Sequence, residues 1–479
     1  MNEKTLAEKI IDLRKKAGIS QKTLGEYMGL TNRAVSKWEN GISIPSIDNL
    51  VKLSKIFNVS MDYFCGEEKG TSTKMDAVQG MESLKELYKI GRGPSSSHTI
   101  GPEKACKLFK EMNPTADYYK VILYGSLAKT GKGHGTDVVV KKTFLPIPCM
   151  VEFNYTEEKL PHPNTMDLFA YKGKSMINSA RVMSVGGGRI QVEGNPAADA
   201  PCIYDLDTFS SIAEYCRKNR IRIWQYAMEK EDEDFSNYMR EIWFTMKESI
   251  HRGLEDEGIL PGGLNVHKKA KQLLGREHID ETAETRENRL VCAYAFAVSE
   301  QNAAGESIVT SPTCGASGVV PAVLYYQQQK HNYSDDQMIK ALITGGIVGN
   351  LIKTNASISG AECGCQAEIG SACAMAAAAL GELFGLSIDK IEYAAEISIE
   401  HHLGLTCDPI CGLVQIPCIE RNAVAAMRAI NAVNIASFLS DTRKISLDNV
   451  IHVMKETGHD LSAQYKETSE GGLAKIVIN

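Results

Sequence analysis

A polar, aperiodic stretch near the amino end limits what this chain can fold into. Residues 67–80, EEKGTSTKMDAVQG, are rich in Gly, Ser and Thr and show no hydrophobic period, which is typical of a flexible linker. The 479 residues are also too many for one ordinary hydrophobic core. We therefore predict a small domain over residues 1–66 and a larger body that divides again, into domains over residues 81–230 and 235–479.

The composition indicates a globular protein outside the membrane. Hydrophobic residues make up 43% of the chain and charged residues 23%, and no run of 18 apolar residues is long enough to span a bilayer. The first residues, MNEKTLAEK, lack the apolar segment of a secretory signal. Thirteen cysteines without an export signal favour reduced thiols, metal ligands or core packing over disulfides. We expect a cytoplasmic location.

The first 66 residues predict an all-α domain. Gly18 and Gly29 separate segments whose apolar residues recur with helical spacing, and Ser20 and Thr31 stand at N-cap positions. The apolar residues are Leu6, Ile10 and Leu13, then Leu24 and Met28, then Val35 and Trp38, then Leu50, Leu53 and Ile56, followed by Val59, Met61 and Phe64. Ten Lys and Arg against seven Asp and Glu give this segment a net charge of +3, whereas the remainder of the chain is net −9. This asymmetry allows a module that faces nucleic acid.

Two segments of this domain carry a specific motif. The sequences of Ser20–Gly25 and Leu30–Gly41 closely resemble the helix-turn-helix of phage-repressor-like regulators. The resemblance implies DNA binding, with Thr31 and Lys37 near phosphate groups and Asn32 and Arg33 near base edges. The residues that it directs toward DNA are Gln21, Thr31, Asn32, Arg33 and Lys37. The alternative is that the same fold serves as a dimerisation or protein-docking unit.

The pattern of residues 81–230 predicts an α+β domain. The β-branched runs Tyr119–Tyr124 and Val138–Val140 indicate strands, and Gly101–Met112 has helical spacing.

Two loops of this domain carry residues suited to chemistry. Gly93–Pro102 is a hydroxyl-rich turn ahead of a helix, where free backbone N–H groups favour a carboxylate or phosphate, and it contains His98. In Gly131–Asp137 the glycines leave His134 uncrowded, and Asp137 is a candidate to orient it. A histidine in a loop is more often a surface residue than a catalyst, so the loops alone leave both readings open.

Residues 235–479 predict a mostly helical domain. Segments such as Lys340–Ile352, Ala372–Phe384 and Ile391–His402 are rich in Ala, Leu, Ile and Glu rather than in alternating β-branched residues. Nearly every residue from Ala372 to Leu380 is Ala, Cys or Met, and such small side chains let helices approach closely. We predict that this stretch is a central helix enclosed by others.

Six of the 13 cysteines lie between Cys363 and Cys418. Three of them, Cys365, Cys407 and Cys418, adjoin backbone-bending residues in Gly-Cys, Cys-Asp-Pro and Pro-Cys sequences, which suits thiolates that point inward from turns. This pattern is typical of a buried inorganic centre. Three thiolates leave one iron of a cubane cluster open, and an open iron is a Lewis acid that can help to expel a hydroxyl group.

Five motifs in order carry a resemblance to a known family. They are Ser95–Thr99, Gly133–Asp137, Lys353–Glu362, Gly364–Gln366 and His402–Asn422. Together they resemble the bacterial iron–sulfur L-serine dehydratases of the single-chain form. The resemblance covers everything after the linker, and its motifs are long and chemically distinctive. It implies a multidomain fold in which an α+β dehydratase β domain precedes a helical α domain that carries the cluster.

The resemblance also implies a reaction and a site. L-Serine would lose water by elimination and yield pyruvate and ammonium, which makes the protein a carbon–nitrogen lyase. The ligands of a [4Fe–4S] cluster would be Cys365, Cys407 and Cys418, with His134 as the base and His98 beside the substrate. Candidate substrate contacts are Ser95, Ser97, Lys353, Asn355 and Ser357. Pyridoxal phosphate is not expected, because nothing resembles the phosphate-cradling loops of its enzymes. A homodimer is expected from both parts of the chain.

Some features depart from the family pattern. Cys314, Cys363 and Cys411 stand where relatives more often have other residues, and we interpret them as small buried packing residues. The alternative is that Cys363 or Cys411 serves as a replacement ligand in a damaged cluster. The chain ends in Ile478-Asn479 and has no C-terminal cysteine for the fourth iron. The helix-turn-helix is an addition, so a second hypothesis remains: a transcriptional regulator that uses the dehydratase body to sense serine or oxygen.

Overall fold

The computed structural model describes residues 5–16, 19–57, 80–157, 159–194, 201–277, 280–439, 443–467 and 470–476. The chain forms two compact units, residues 1–77 and 78–479, and each is described by itself below. Apart from Gly80, the predicted linker lies outside the described residues, as do the predicted apolar residues Val59, Met61 and Phe64.

The first unit is helical, as its apolar stripes predict. Its helices are α1 Leu6–Lys16, α2 Gln21–Met28, α3 Asn32–Glu39 and α4 Ile47–Phe57. The side chains of Ile10, Leu24, Val35 and Leu53 are fully buried and form one core. Burial of an apolar face is what stabilises helices this short, since isolated helices of eight to eleven residues are marginal in water.

The second unit combines strands and helices. The strands are β1 Met81–Glu82, β2 Ile90–Arg92, β3 Tyr118–Leu123, β4 Cys149–Phe153, β5 Thr165–Lys172, β6 Ser175–Ser184, β7 Ile190–Val192, β8 Cys202–Tyr204 and β9 Ser307–Val309. The helices are α5 Gly101–Met112, α6 Gly125–Lys129, α7 Thr136–Phe144, α8 Phe209–Asn219, α9 Ile223–Lys230, α10 Phe235–Glu255, α11 Ala270–Gly275, α12 Ala283–Ala303, α13 Val319–His331, α14 Asp335–Asn355, α15 Gly360–Cys363, α16 Ser371–Leu383, α17 Ile388–Glu400, α18 Cys418–Leu439 and α19 Leu447–Asp460.

Five of the strands form a single sheet in the order β4-β3-β5-β6-β7. Strands β3 and β4 are parallel, and the other neighbours are antiparallel. Alternate residues of β3, namely Tyr119, Val121 and Leu123, are buried in a core that also holds Phe109 of α5 and Phe144 of α7. This part of the chain has the predicted α+β character.

The predicted strand at Val138–Val140 is wrong, because these residues lie in α7. Gly135 adopts a φ of 68°, which turns the chain into the helix. From there Val140 and Phe144, four residues apart, bury one helical face against the sheet. Tertiary packing has overridden the β propensity of three consecutive valines.

The helical part has α16 at its centre, as predicted. Every side chain from Ala372 to Leu380 is fully buried among α13, α14, α17 and α18. A Cβ on Gly345 of α14 would lie 2.6 Å from the carbonyl oxygen of Met375, so only glycine permits this approach. The predicted helical segments correspond to α14, α16 and α17, and these predictions are confirmed.

Two short antiparallel pairs join the beginning of this unit to its helical part. Strand β1 pairs with β8, and β2 pairs with β9. The buried Leu84, Leu87 and Tyr88 belong to the same core as the helices, and the Tyr88 hydroxyl donates to the Leu342 carbonyl at 2.8 Å. The loop that follows β2 and carries His98 is thereby attached to the helical part. Among the described residues, no helix is both long and apolar enough to cross a bilayer.

Candidate active site

Two short π-helical segments carry candidate site residues of the body. Ser96–Ile100 runs directly into α5 and carries His98, while Gln366–Gly370 runs directly into α16 and carries Glu368. Such turns interrupt the regular ladder of helical hydrogen bonds and occur frequently at functional sites. The loop that was expected to offer free N–H groups is therefore partly wound, since the N–H of Thr99 donates to the Ser95 carbonyl at 2.7 Å.

His98 is completely buried and surrounded by hydroxyl groups. Its Nε2 lies 2.8 Å from Thr130 Oγ1 and 3.3 Å from Ser126 Oγ. Both hydroxyls donate to carbonyl oxygens, at 3.0 and 2.8 Å, so both accept from Nε2–H of the neutral ring. The lone pair is then on Nδ1, which lies 3.2 Å from the hydroxyls of Ser95 and Ser97. The predicted serines thus contact His98.

His134 has the opposite tautomer. Its Nδ1 lies 3.0 Å from the carbonyl oxygen of Thr130, which can only accept, so Nδ1 carries the proton and Nε2 carries the lone pair. Nε2 is buried and has no hydrogen-bond partner among the described residues. Burial lowers the pKa of His134 to about 4 and lowers that of His98 as well, so both rings are neutral at pH 7. A buried, neutral imidazole with a free lone pair is suited to accept a proton.

The predicted role of Asp137 in orienting His134 is wrong. Asp137 lies in the first turn of α7, and its carboxylate faces Lys141 at 3.4 Å, one turn further along the same helix. Gly133 allows the loop that carries His134 to pack closely against the turn at Cys411, because a Cβ at this position would lie 2.8 Å from the Cys411 carbonyl oxygen. His134 also lines a cavity of about 780 Å³, which Gly262 and Gln415 line as well.

Glu467 joins the two histidines. Its Oε1 lies 3.4 Å from His98 Nδ1 and 3.9 Å from His134 Nε2, and the two rings are 4.2 Å apart between centroids. Burial, together with Glu368 and the Cys365 thiolate, raises the pKa of Glu467 well above its ordinary value. The sequence pattern did not single out this residue, which follows the last long helix in a polar segment.

Two of the three predicted ligand cysteines lie together in the interior, and the third, Cys418, is buried where the charge of the Cys365 thiolate acts on it. The Sγ atoms of Cys365 and Cys407 and a carboxylate oxygen of Glu368 all lie within 4.8 Å of one another. A hydrogen bond from Cys407, with the positive charge of Arg421, lowers the pKa of Cys365 to about 6. The same thiolate, together with burial, raises the pKa of Cys407 and of Cys418 well above the ordinary value.

These thiols fit a metal–sulfur group. Without a cation only one of three adjacent buried thiols ionises easily, whereas a bound metal stabilises all three as thiolates. Gly360 leaves room beside the thiols, because a Cβ there would lie 2.8 Å from Glu368 Oε2 and 3.1 Å from Cys407 Sγ. Arg421 supplies nearby positive charge and is held by the Thr406 carbonyl at 2.6 Å and by Asp408 at 3.2 Å. Burial and Cys365 raise the pKa of Glu368 to about 8.

Three of the predicted substrate-binding residues are bound to other residues of the protein. Lys353 pairs with Glu82 at 2.6 Å, and Ser357 donates to Glu362. Both line a separate polar cavity of about 290 Å³. Asn355 donates to the carbonyl oxygen of Asp207 at 2.7 Å. Their contact with a substrate stays a prediction.

The extra cysteines differ in exposure. Cys314 is fully buried and Cys363 packs against Gly458, so both are packing residues as interpreted from the sequence. The same interpretation is wrong for Cys411, which is exposed. Cys411 stands at a φ of 55° in a tight turn before Gly412, and that turn directs its side chain outward.

In the helix-turn-helix unit, four of the predicted DNA contacts are exposed at the start and along the outer face of α3: Thr31, Asn32, Arg33 and Lys37. Gln21 is partly buried, and its Nε2 donates to Glu39 at 2.7 Å. Glu39 also receives two hydrogen bonds from Arg14, which hold its pKa below the ordinary value although burial raises it.

The fold and the site define a class of protein: a helix-turn-helix unit followed by an enzyme-like body that buries histidines, carboxyl groups and thiols together. Family models identify the parts. The serine dehydratase alpha chain matches residues 173–474, the serine dehydratase beta chain matches residues 83–144, and a helix-turn-helix family matches residues 10–64.

Curated relatives agree with these matches. The L-serine dehydratase of Streptomyces coelicolor is 40% identical over 450 residues, which cover 83% of this chain and 99% of that protein. L-Serine dehydratase 1 of Escherichia coli is 39% identical, over 82% of this chain and 99% of its own length. The L-serine dehydratase of Helicobacter pylori is 36% identical over the same shares. This chain therefore belongs to the serine dehydratase family, and the resemblance inferred from its motifs is confirmed.

Proposed function

We propose that the body of this chain is an L-serine dehydratase that converts L-serine to pyruvate and ammonium. The names of its relatives support the substrate. The observation that carries the proposal is the buried Nε2 of His134, which has no hydrogen-bond partner among the described residues and lies 3.9 Å from Glu467 Oε1. That arrangement provides a base where a weakly acidic Cα proton must be removed.

The elimination can be written from the residues of this chain. His134 Nε2 takes the Cα proton of serine, the electron pair of that C–H bond forms the Cα=Cβ bond, and the β-oxygen leaves with its own bonding pair. The enamine product tautomerises to an imine, which water hydrolyses to pyruvate and ammonium. We propose that Ser95 and Ser97 bind the substrate through their hydroxyl groups, which lie 3.2 Å from His98 Nδ1 in this structure.

Hydroxide is a poor leaving group, and a [4Fe–4S] cluster held by Cys365, Cys407 and Cys418 would supply a Lewis acid at its open iron. Arg421 then balances part of the negative charge of the three thiolates. The proposal uses no pyridoxal phosphate. In support, the ammonium group of Lys353 is held by a buried carboxylate of Glu82 and by the Glu86 carbonyl at 3.3 Å.

Anaerobic purification followed by a pyruvate assay with L-serine tests this function. His134→Ala is expected to abolish pyruvate formation while the cluster absorbance and EPR signal stay unchanged, because His134 removes a proton and binds no metal. The matched control is His401→Ala, an exposed histidine in which we expect normal turnover. Normal turnover in His134→Ala would exclude it as the base.

We further propose that the N-terminal unit binds DNA and that the chain is a homodimer. Exposed Asn32 and Arg33 at the start of α3 support DNA binding. Helix-turn-helix modules of this kind commonly read two half-sites as dimers, which supports self-association. The second candidate function is a regulator that senses serine or oxygen. A protein with an assembled cluster that made no pyruvate would favour this regulator over the enzyme.

A further inference from the structure

We propose that Gln415 is a substrate-binding residue of the dehydratase site, and that its side-chain oxygen Oε1 accepts a hydrogen bond from the α-ammonium group of L-serine. This inference deepens the proposed function and rests on it. It assigns a role to a residue that lies inside a sequence motif but was given no function by it. The contact would distinguish L-serine from hydroxy acids that lack the amino group.

The hydrogen bonds of Gln415 fix the orientation of its side-chain amide. Its Nε2 donates to the Pro261 carbonyl at 2.6 Å, and a carbonyl oxygen can only accept. The oxygen Oε1 is therefore the free end of the amide, and it has no hydrogen-bond partner among the described residues. The residue is only 2% exposed, so bulk water does not satisfy this acceptor. A buried oxygen of this kind costs free energy until a donor reaches it.

Gln415 and His134 line the same cavity of about 780 Å³, a size that accommodates a small molecule. Both residues are buried, and each has one acceptor without a partner among the described residues, Nε2 in His134 and Oε1 in Gln415. The amino group and the Cα–H bond of serine belong to the same carbon atom. The cavity therefore combines a base for the Cα proton with an acceptor for the amino group beside it.

The backbone holds Gln415 in a defined position. Its N–H donates to the Leu413 carbonyl at 2.7 Å, and its carbonyl accepts from the Ile419 N–H at 3.0 Å, in the first turn of α18. A Cβ on Gly412 would lie 3.0 Å from the Thr130 Cβ, so this segment packs directly against the residue whose carbonyl holds the ring of the proposed base. Gln415 therefore keeps a fixed place relative to the loop that carries this base.

The chemistry of an amide oxygen favours the ammonium group over the other groups of serine. Such an oxygen accepts hydrogen bonds and cannot donate one, so it does not bind a carboxylate. The ammonium group is charged, and hydrogen bonds from charged donors are the stronger ones. Glu103 and Glu306 also line the cavity, but Glu103 pairs with Lys107 at 2.6 Å and Glu306 is exposed. Gln415 instead offers a buried acceptor that no described side chain occupies.

The test compares Gln415→Met with the wild type in the cluster-loaded full chain, with L-serine as substrate and 3-hydroxypropanoate as competitive inhibitor. This inhibitor keeps the carboxylate and the β-hydroxyl group of serine and lacks the amino group. Met keeps the length of the side chain and removes the acceptor. We expect KM for L-serine to rise about 10- to 100-fold, while the inhibition constant of 3-hydroxypropanoate changes less than about threefold. The ammonium contact is made before and during the reaction, so kcat should change far less than KM.

Gln415→Glu gives a second readout. It keeps a side-chain oxygen that can accept from an ammonium group, so the ratio of the inhibition constant of 3-hydroxypropanoate to KM for L-serine should equal or exceed the wild-type ratio. In Gln415→Met the same ratio should fall about 10- to 100-fold. A fall of about tenfold in Gln415→Glu would overturn the inference, even if the Met variant did not assemble a cluster.

The matched control is Gln327→Met. Gln327 is 3% exposed and its Oε1 also has no hydrogen-bond partner among the described residues, but it lies on α13 and does not line this cavity. The same chemical change there should leave both constants at their wild-type values. An unchanged KM in Gln415→Met would overturn the inference, and so would equal rises in both constants, since a change in cavity shape would then explain them. A wild-type protein that made no pyruvate would instead overturn the proposed function itself.

Discussion

Among the described residues of the body, burial lowers the pKa of three histidines: His98, His134 and His402. Burial lowers the pKa of His402 to about 4, as it does for His134, and His402 Nδ1 contacts the Ser398 carbonyl at 2.6 Å. In the unfolded chain each of these rings would have an ordinary pKa of about 6.5. The unfolded state therefore binds more protons than the folded state at mildly acidic pH.

The sign of this effect predicts acid sensitivity. Between pH 6.5 and about 4 the unfolded chain binds more protons than the folded one, so the free energy of unfolding falls as the pH falls through this window. His402→Gln removes one such group without touching the proposed catalytic residues. We expect its loss of stability between pH 7 and pH 5 to be smaller than that of the wild type by about 1–2 kcal/mol.

Urea unfolding at the two pH values measures this difference. His401→Gln is the matched control, because His401 is exposed on the adjacent position and should leave the pH dependence unchanged. Equal pH dependence in His402→Gln and the wild type would show that His402 titrates normally in the folded protein.

At the scale of elements, α3 has one buried face and one exposed face. Val35 and Trp38 face the core, while Asn32, Arg33 and Lys37 remain exposed. The ion pair between Arg14 and Glu39 connects the end of α3 to α1, so the exposed residues belong to a helix with little freedom to reorient.

Arg33→Ala should therefore weaken binding to the preferred DNA sequence. An Arg that contacts a base edge contributes about 1–3 kcal/mol, so we expect affinity to fall about 10- to 100-fold. Preferred sequences can be selected from a random duplex pool and affinity measured by fluorescence anisotropy at fixed salt. Lys16→Ala removes the same charge from the exposed end of α1 and should lower affinity much less. Equal losses in both variants would indicate a purely electrostatic attraction.

At the scale of the whole molecule, the chain consists of two compact units that bury separate cores. A chain that begins at Gly80 keeps every described contact of the dehydratase body. We expect it to retain full pyruvate formation and to lose DNA binding, as measured by activity and anisotropy on the same preparation. A large loss of kcat in the shortened chain would mean that the first unit contributes to catalysis.

Much of this arrangement could be predicted from local pattern. Helical stripes predicted α1 to α4, and the run of small residues predicted the buried α16. The prediction failed at Val138–Val140, where intrinsic preference pointed to a strand and packing against the sheet required a helix. It also failed for Cys411, because exposure depends on how a turn is oriented rather than on residue type.

The sequence by itself determined the family, because the motifs that contain Cys365, Cys407, Cys418 and the two histidine loops occur in the order that the serine dehydratases have. Only the tertiary structure decided which nitrogen of each histidine is free and which carboxyl group faces it. Glu467 and Ser126 are separated by 341 positions in the chain but joined by a hydrogen bond. Tautomers and pKa values are set by such contacts and by burial, and neither is encoded in local periodicity.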